Sequence, residues 1–323
     1  MISPSRLIPA VHTDRFVYNN GMKYTSVSEK LKQQFGTKVY RLSLSTGCTC
    51  PNRDGTKGYG GCTFCSEGGS GEFAADVLPV SQQIEQAKLL VDRKFPRQIR
   101  PEERKYIAYF QSFSNTYGDI PRLRRMFMEA IEREEIVILD IATRPDCISE
   151  ECLDMLKELN AIKPVWVELG LQTMHDDTAE SFHRGYRTAE FEQCFRKLQD
   201  SGIEVVAHLI LGLPGETEEM MLESVRYVND LKPQGIKLHL LQILKGTAMA
   251  EQFAHEPWHI MSLEEYCSLV IKCLDILSED IVIHRLTGDG PKSLLIEPAW
   301  CADKKHVLDT MNRMVAQAER TKL

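Results

Sequence analysis

From about residue 36 onward, short runs of β-branched and apolar residues alternate with longer stretches in which apolar positions recur every three or four residues. The runs Val39–Ser43, Tyr106–Phe110, Ile136–Ala142, Val165–Leu169, Val205–Leu211 and Ile236–Leu241 predict six strands. Nearly all are apolar throughout, the pattern of a strand covered on both faces rather than one. Between them the three-to-four spacing predicts helices near Val80–Lys94, Pro121–Glu134, Ser149–Leu159, Ala189–Ser201 and Thr217–Leu231. Ser149 ahead of Glu150 and Glu151, and Thr217 after the turn Pro214-Gly215-Glu216, carry the oxygen that accepts from a free amide in a first helical turn. Successive βα units of this kind build a parallel sheet.

After Gly246 the pattern changes to a helix near Leu263–Leu277, a short strand Ile281–Arg285, a turn-rich stretch and an amphipathic helix from Lys304 to about Arg320. This predicts an N-terminal extension over 1–35, a barrel over 36–245 and a C-terminal cap over 246–323. The segments leading from strand to helix are longer than sterics require, above all Thr46–Pro79. Parallel barrels place their chemistry on such loops at the carboxyl ends of the strands.

Composition narrows the functional classes. With 43% hydrophobic and 26% charged residues the chain is of the ordinary globular type. No stretch approaches the roughly 18 uninterrupted apolar residues of a membrane span, and the start lacks a basic head followed by an apolar core, which places the protein in the cytoplasm with no membrane partner. A net charge of −7 argues against a globally basic nucleic-acid binder but leaves room for local patches at Arg97/Arg100/Arg104/Lys105, Arg122/Arg124/Arg125 and Lys304/Lys305.

Four of the ten cysteines fall between Cys48 and Cys65, directly after the first strand, and the other six are scattered through helix-like segments as buried thiols. Soft thiolates on a glycine-rich loop suit either an iron–sulfur cluster or zinc. A zinc knuckle would use all four. A three-thiolate set above the first strand of a parallel barrel would instead leave one iron free to bind a ligand.

Cys50-Pro-Asn-Arg-Asp-Gly together with Gly-Gly-Cys62-Thr-Phe-Cys65 resembles the cluster loop of YhcC/YtqA-type radical S-adenosylmethionine (SAM) proteins, relatives of the radical SAM domain of the elongator catalytic subunit. Eleven residues separate the first two ligands, more than in the commonest pattern of that superfamily, and Cys48 falls outside the motif. The resemblance recurs at Tyr109–Thr116, Ala142–Asp146, Glu168–Thr173, His208–Glu216, Gly235–Leu241 and His284–Pro291. It implies an α/β fold, a partial (β/α)6 TIM-like radical SAM barrel with a small C-terminal α/β cap. It further implies a [4Fe-4S] cluster on Cys50, Cys62 and Cys65, SAM as cosubstrate, and cleavage of SAM to a 5′-deoxyadenosyl radical that abstracts hydrogen from a substrate.

Each part of SAM then asks for a partner. A guanidinium fork from Arg184 or Arg144 suits its carboxylate, with a structural ion pair as the competing role for each. Glu168 and Gln172 suit the ribose hydroxyls, and Gln111, Ser114 and Asn115 the ammonium. Gly212 lets the adenine lie against backbone, with His208 nearby or buried as a core histidine. Lys237, His239, Lys245, His284 and Arg285 form a cationic lining for the substrate. The resemblance points to tRNA, with the carboxymethylaminomethyl group at C5 of wobble uridine converted to aminomethyl. Lys245 or Arg285 then holds the carboxylate and the basic clusters meet the anticodon arm. A reductant such as flavodoxin or ferredoxin and a downstream tRNA methyltransferase are the implied partners. A radical enzyme acting on a small metabolite, and a zinc-stabilised binding module, are the alternatives.

Overall fold

The computed structural model describes residues 24–69, 77–288 and 290–321. Helix α1 (Val27–Phe35) opens it, capped by a reciprocal pair in which Ser26 accepts from the Glu29 amide and Glu29 from that of Ser26. Strand β1 (Val39–Leu44) follows, then α2 (Val80–Val91), β2 (Lys105–Phe110), α3 (Ile120–Ile131), β3 (Ile136–Thr143), α4 (Glu150–Asn160) and β4 (Val165–Gln172). The chain continues through α5 (Asp176–Ser181), α6 (Thr188–Asp200), β5 (Glu204–Leu211), α7 (Glu218–Leu231), β6 (Gly235–Leu240), β7 (Ile243–Leu244) and α8 (Ala248–His255). Helix α9 (Leu263–Ile276), β8 (Val282–Arg285), β9 (Leu295–Glu297) and α10 (Lys304–Thr321) complete it. Ser149 and Thr217 do cap α4 and α7, accepting from the amides of Cys152 and Met220.

Strands β1 to β6 pair in sequence order, all parallel, and β8 adds to β6 as a seventh strand, giving a curled half-barrel. The expected fold class holds, but the strand assigned to the cap lies in the barrel sheet itself. The small antiparallel pair β7–β9 remains outside it. Helix α1 belongs to the barrel as well: Leu31, Val27 and Phe35 pack against Ile107, Ile138 and Trp166, and the Ile283 amide donates to Thr25 O at 2.9 Å.

The two faces of the sheet differ in kind. One face meets the helices through a continuous apolar layer that includes Leu42, Ala108, Leu139, Val167, Ala207 and Leu238. The other carries Arg41, Tyr109, Asp140, Trp166, Glu168, His208 and Lys237, all from β1 to β6 and spaced by the two-residue period of a strand. Strands expected to be apolar on both sides are therefore apolar on one and polar within the barrel.

Two irregularities re-aim side chains at this inner face. The β6–β8 register runs Ile236↔Ile283 and then Lys237↔Arg285, so His284 is an extra residue on β8. Between β4 and β5 it runs Gly170↔His208 and then Gln172↔Leu209, with Gln172 in the left-handed region at φ 66°.

Candidate active site

A cavity of about 290 Å³ opens at the carboxyl ends of the strands. The loop after β1 contributes Cys50, Cys62 and Cys65. The other walls bring Gln111 and Ser114 from the segment after β2, Arg144 after β3, Glu168, Gly170 and Gln172 from β4, and His208, Lys237, His239 and Arg285 from β5, β6 and β8. Most residues named from the sequence thus converge on one space.

The cysteine loop is held by side chains of its own motif. Arg53 donates to the carbonyls of Cys65, at 3.0 Å, and Ser66, and Asn52 donates to His183 O and lies 3.7 Å from the Cys62 sulfur. The Thr63 amide donates to Phe182 O at 3.0 Å, and Lys57 pairs with Asp146 at 2.8 Å. Arg144 grips Asp146 with a two-pronged contact at 2.9 and 2.8 Å and lies 4.8 Å from the Tyr186 ring centre. Cys48 does not line the cavity; it packs beside Gly118.

Burial pushes the Cys62 thiol up to about 12, and the neighbouring Cys65 and Cys50 thiolates add to this against the pull of Arg144. A thiol held un-ionised in this way becomes a good donor once a strongly cationic centre removes the repulsion from its neighbours. Among the described residues no three His, Cys, Asp or Glu side chains converge to chelate a single ion, while Cys50, Cys62 and Cys65 all line the cavity. That arrangement fits a multi-iron cluster.

Below the mouth lies a buried network. Glu168, 1% exposed, pairs with Lys237, accepts from Tyr109 Oη at 2.6 Å and stands 3.1 Å from His208 Nε2 and 3.6 Å from Arg41 Nη2. Arg41 also bonds Asp140 at 3.1 Å. Burial alone pushes the Glu168 carboxyl up, but Lys237, His208 and Arg41 outweigh it and hold it well below the usual carboxylate range. Asp140 goes the other way, to about 8, because burial and the Glu168 charge exceed what Arg41 returns. Burial also lowers Lys237 to about 8 despite Glu168, and keeps His208 and His239 neutral.

Several expectations are corrected. Arg184 does not face the cavity: its guanidinium donates to the carbonyls of Tyr186, Leu171 and Thr173 and to Asp176 and Thr188, all between 2.7 and 3.1 Å. These use all five of its N–H groups, so no donor remains for SAM. Arg184→Lys orphans several of these acceptors and is expected to cost about 2–4 kcal/mol in urea unfolding. Asn115 is likewise spent, accepting from Thr46 and donating to Phe110 O and Ala142 O. Gly212, at φ 89°, is absent from the wall, and a Cβ there would come within 2.9 Å of Met261. Lys245 is exposed on the turn after β7. His284 bonds Arg41 at 3.0 Å and lies 5.0 Å from the Trp166 ring, away from the cavity.

Residues not singled out from sequence include Tyr186, Tyr109, Arg41 and Asp140. Tyr186 donates to Gly170 O at 2.8 Å and Gln172 Oε1 at 3.0 Å, fixing the bulge at the end of β4. A Cβ at Gly170 would come within 2.4 Å of the Gln172 side-chain amide, so a larger residue there would push that amide aside. A charge inside an otherwise apolar run, as in Val39-Tyr-Arg41-Leu and Ile138-Leu-Asp140-Ile, was the available signal. The basic clusters are partly engaged locally: Arg100 with Glu102 and Glu103, Arg104 with Asp92, Arg124 with Glu158, and Arg122 with Thr46 O.

A half-barrel of parallel strands with three thiols at its mouth defines a class, and sequence comparison agrees. The model of the radical SAM superfamily matches residues 45–228 and that of the radical SAM C-terminal domain residues 233–317, and the chain belongs to the radical SAM superfamily. It is 41% identical over 300 residues to YtqA of Bacillus subtilis, covering 92% of this chain and 91% of that protein. To YhcC of Escherichia coli K12 it is 34% identical over 275 residues, covering 85% and 86%. Within the superfamily it falls in the branch of those two proteins. About half the chain, 164 residues, is 27% identical to the tRNA uridine(34) acetyltransferase of Methanocaldococcus jannaschii, of which it covers 30%. The structure of the archaeal Methanocaldococcus infernus Elp3 shares the fold at a TM-score of 0.63 and 17% identity, covering 88% of this chain and 63% of that one. Membership of the superfamily makes the protein an enzyme that uses a [4Fe-4S] cluster and SAM. Among the described residues no helix is long and apolar enough to cross a membrane.

Proposed function

We propose that Cys50, Cys62 and Cys65 hold the cluster, that SAM occupies the adjoining cavity, and that the enzyme acts on the C5 side chain of wobble uridine in tRNA, converting carboxymethylaminomethyl to aminomethyl. The observation that carries the reading is that three thiols and a polar wall of His239 with the cations Lys237 and Arg285 border the same cavity. The relation of half the chain to a tRNA uridine(34) enzyme supports the choice of substrate.

When bound and reduced, the cluster with SAM would supply a 5′-deoxyadenosyl radical that takes hydrogen from the carboxymethyl carbon, the two-electron oxidation of that group balancing the reductive cleavage of SAM, with water entering and the two-carbon fragment leaving as glyoxylate. The chain's own part is placement and exclusion of water. Arg144 has two N–H groups left after its bonds to Asp146 and to Arg184 O, and directs them to the carboxylate of SAM from the cysteine side. Gln111, Ser114 and Gln172 offer polar groups to its ammonium and ribose. Glu168, enclosed by Lys237, Tyr109, His208 and Arg41, fixes the floor on which these groups stand. Apolar walls from Phe64, Ile210 and Leu241 keep the target C–H in a dry space.

Nucleoside analysis of tRNA from a deletion strain tests the substrate. The carboxymethylaminomethyl form accumulates and aminomethyl-derived forms fall below detection. Unchanged wobble uridine species would rule tRNA out and turn attention to a small metabolite.

A further inference from the structure

We infer that the β5–β6–β8 side of the cavity is a subsite for a carboxylate on the substrate, gripped by Arg285 with His239 beside it. The argument begins from the charges on the cavity wall. Four cationic side chains line it, Arg53, Arg144, Lys237 and Arg285. Arg53 is anchored on carbonyls of the cysteine loop and faces the thiols. Arg144 is matched by Asp146, and Lys237 by Glu168. Among the described residues Arg285 has no ion pair, and Glu168 is the one carboxylate on the wall.

Its surroundings match a small anion. The β-bulge sets Arg285 level with Lys237 on the adjacent strand. His208 and His239 face each other at 5.2 Å, and His239 Nε2 is buried without a hydrogen-bond partner among the described residues. A buried polar nitrogen left unpaired is costly, so a site of this kind awaits a ligand oxygen. Burial lowers both rings from the usual histidine range, which favours the neutral form and lets them hydrogen-bond without adding charge. Gly288 and Gly290 run tight against Gln242, where a Cβ would approach to 3.0 and 2.2 Å.

A guanidinium fork fits either a carboxylate or a phosphate. Among the described residues Arg285 is the one cation of this side without a counter-charge, beside a wall that includes the apolar Ile210, Leu240 and Leu244, and one positive charge balances a monoanion. A phosphate dianion would retain an unpaired charge in that environment. The inference rests on the wobble-uridine reading for its natural ligand, whose side chain ends in a carboxylate, and refines how that group is recognised.

Two measurements test it separately from that reading. In the first, protein carrying carbon-13-labelled histidine is titrated at constant ionic strength with acetate, N-methylglycine and inorganic phosphate. The His239 ring signal, assigned by its loss in His239→Gln, shifts saturably with the two carboxylates. The shift disappears in Arg285→Gln and persists more weakly in Arg285→Lys. A shift with phosphate alone overturns the carboxylate assignment, and no shift with any probe overturns the subsite. In the second, anticodon stem-loops bearing carboxymethylaminomethyluridine or aminomethyluridine are compared. The wild-type protein prefers the first by about tenfold, the size of one charge-assisted contact, and Arg285→Gln abolishes the preference. A preference surviving in Arg285→Gln sinks the inference. If neither stem-loop binds while acetate still moves His239, the tRNA reading fails and the carboxylate subsite stands.

Discussion

Replacing Cys62 with serine is expected to strip the protein of its iron–sulfur chromophore and to lower formation of 5′-deoxyadenosine from SAM by on the order of a thousandfold or more. Burial together with the Cys65 and Cys50 charges opposes the ionisation of Cys62 until a cation is bound. A serine hydroxyl ionises far less readily than a thiol and is a harder ligand, so it holds iron poorly in the same position. The measurement is iron and sulfide content with visible absorption on anaerobically reconstituted protein. Cys48→Ser is the control: Cys48 lies off the cavity beside Gly118 and the variant keeps both iron and colour. A Cys48 variant that loses the cluster along with Cys62→Ser would mean that four thiolates, as in a zinc knuckle, are the true ligand set.

Glu168→Ala is the second change with a large consequence, and it acts on stability. The carboxylate is the shared counter-charge of Lys237 and Arg41, and the side chains of Lys237 and Glu168 are only 3% and 0% exposed. Removing it leaves the buried Lys237 without its paired carboxylate, while Arg41 keeps its bond to Asp140. Breaking a buried pair from one side costs about 3–5 kcal/mol. Urea unfolding of the apoprotein reads this directly. Glu168→Gln keeps the shape and an acceptor for Tyr109 and is expected to lose less. A wild-type midpoint in Glu168→Ala would show that water reaches this floor and that the network contributes little.

The elements of the barrel were legible because their cause is local. Six strands flanked by amphipathic helices give a periodicity that does not depend on what the chain later touches, and capping by Ser149 and Thr217 depends on three residues each. The convergence of Cys50, Cys62, Cys65, Glu168, Lys237 and Arg285 followed from the rule that parallel barrels gather chemistry at one end. What escaped depends on which partners a side chain meets once the chain is folded. Arg184 carries the same side chain as Arg144, yet one is saturated by five local acceptors and the other has donors to spare. His284 and Arg285 are neighbours, and a single bulge decides which of them meets the cavity. Strand β8 was assigned to a cap because its short apolar run cannot by itself say which sheet edge it joins.

That last strand has a consequence for synthesis. Glu168 and Asp140 leave the ribosome well before Lys237, and β8 follows later still, bearing the amide that meets Thr25 near the opposite end of the chain. A nascent polypeptide stopped after β5 therefore holds two acids with Arg41, Tyr109 and His208 but not Lys237 to answer them, and the floor of its barrel is unfinished. Such a fragment also lacks Lys237, His239 and Arg285, so the thiols of its cysteine loop face a cavity with one side still open.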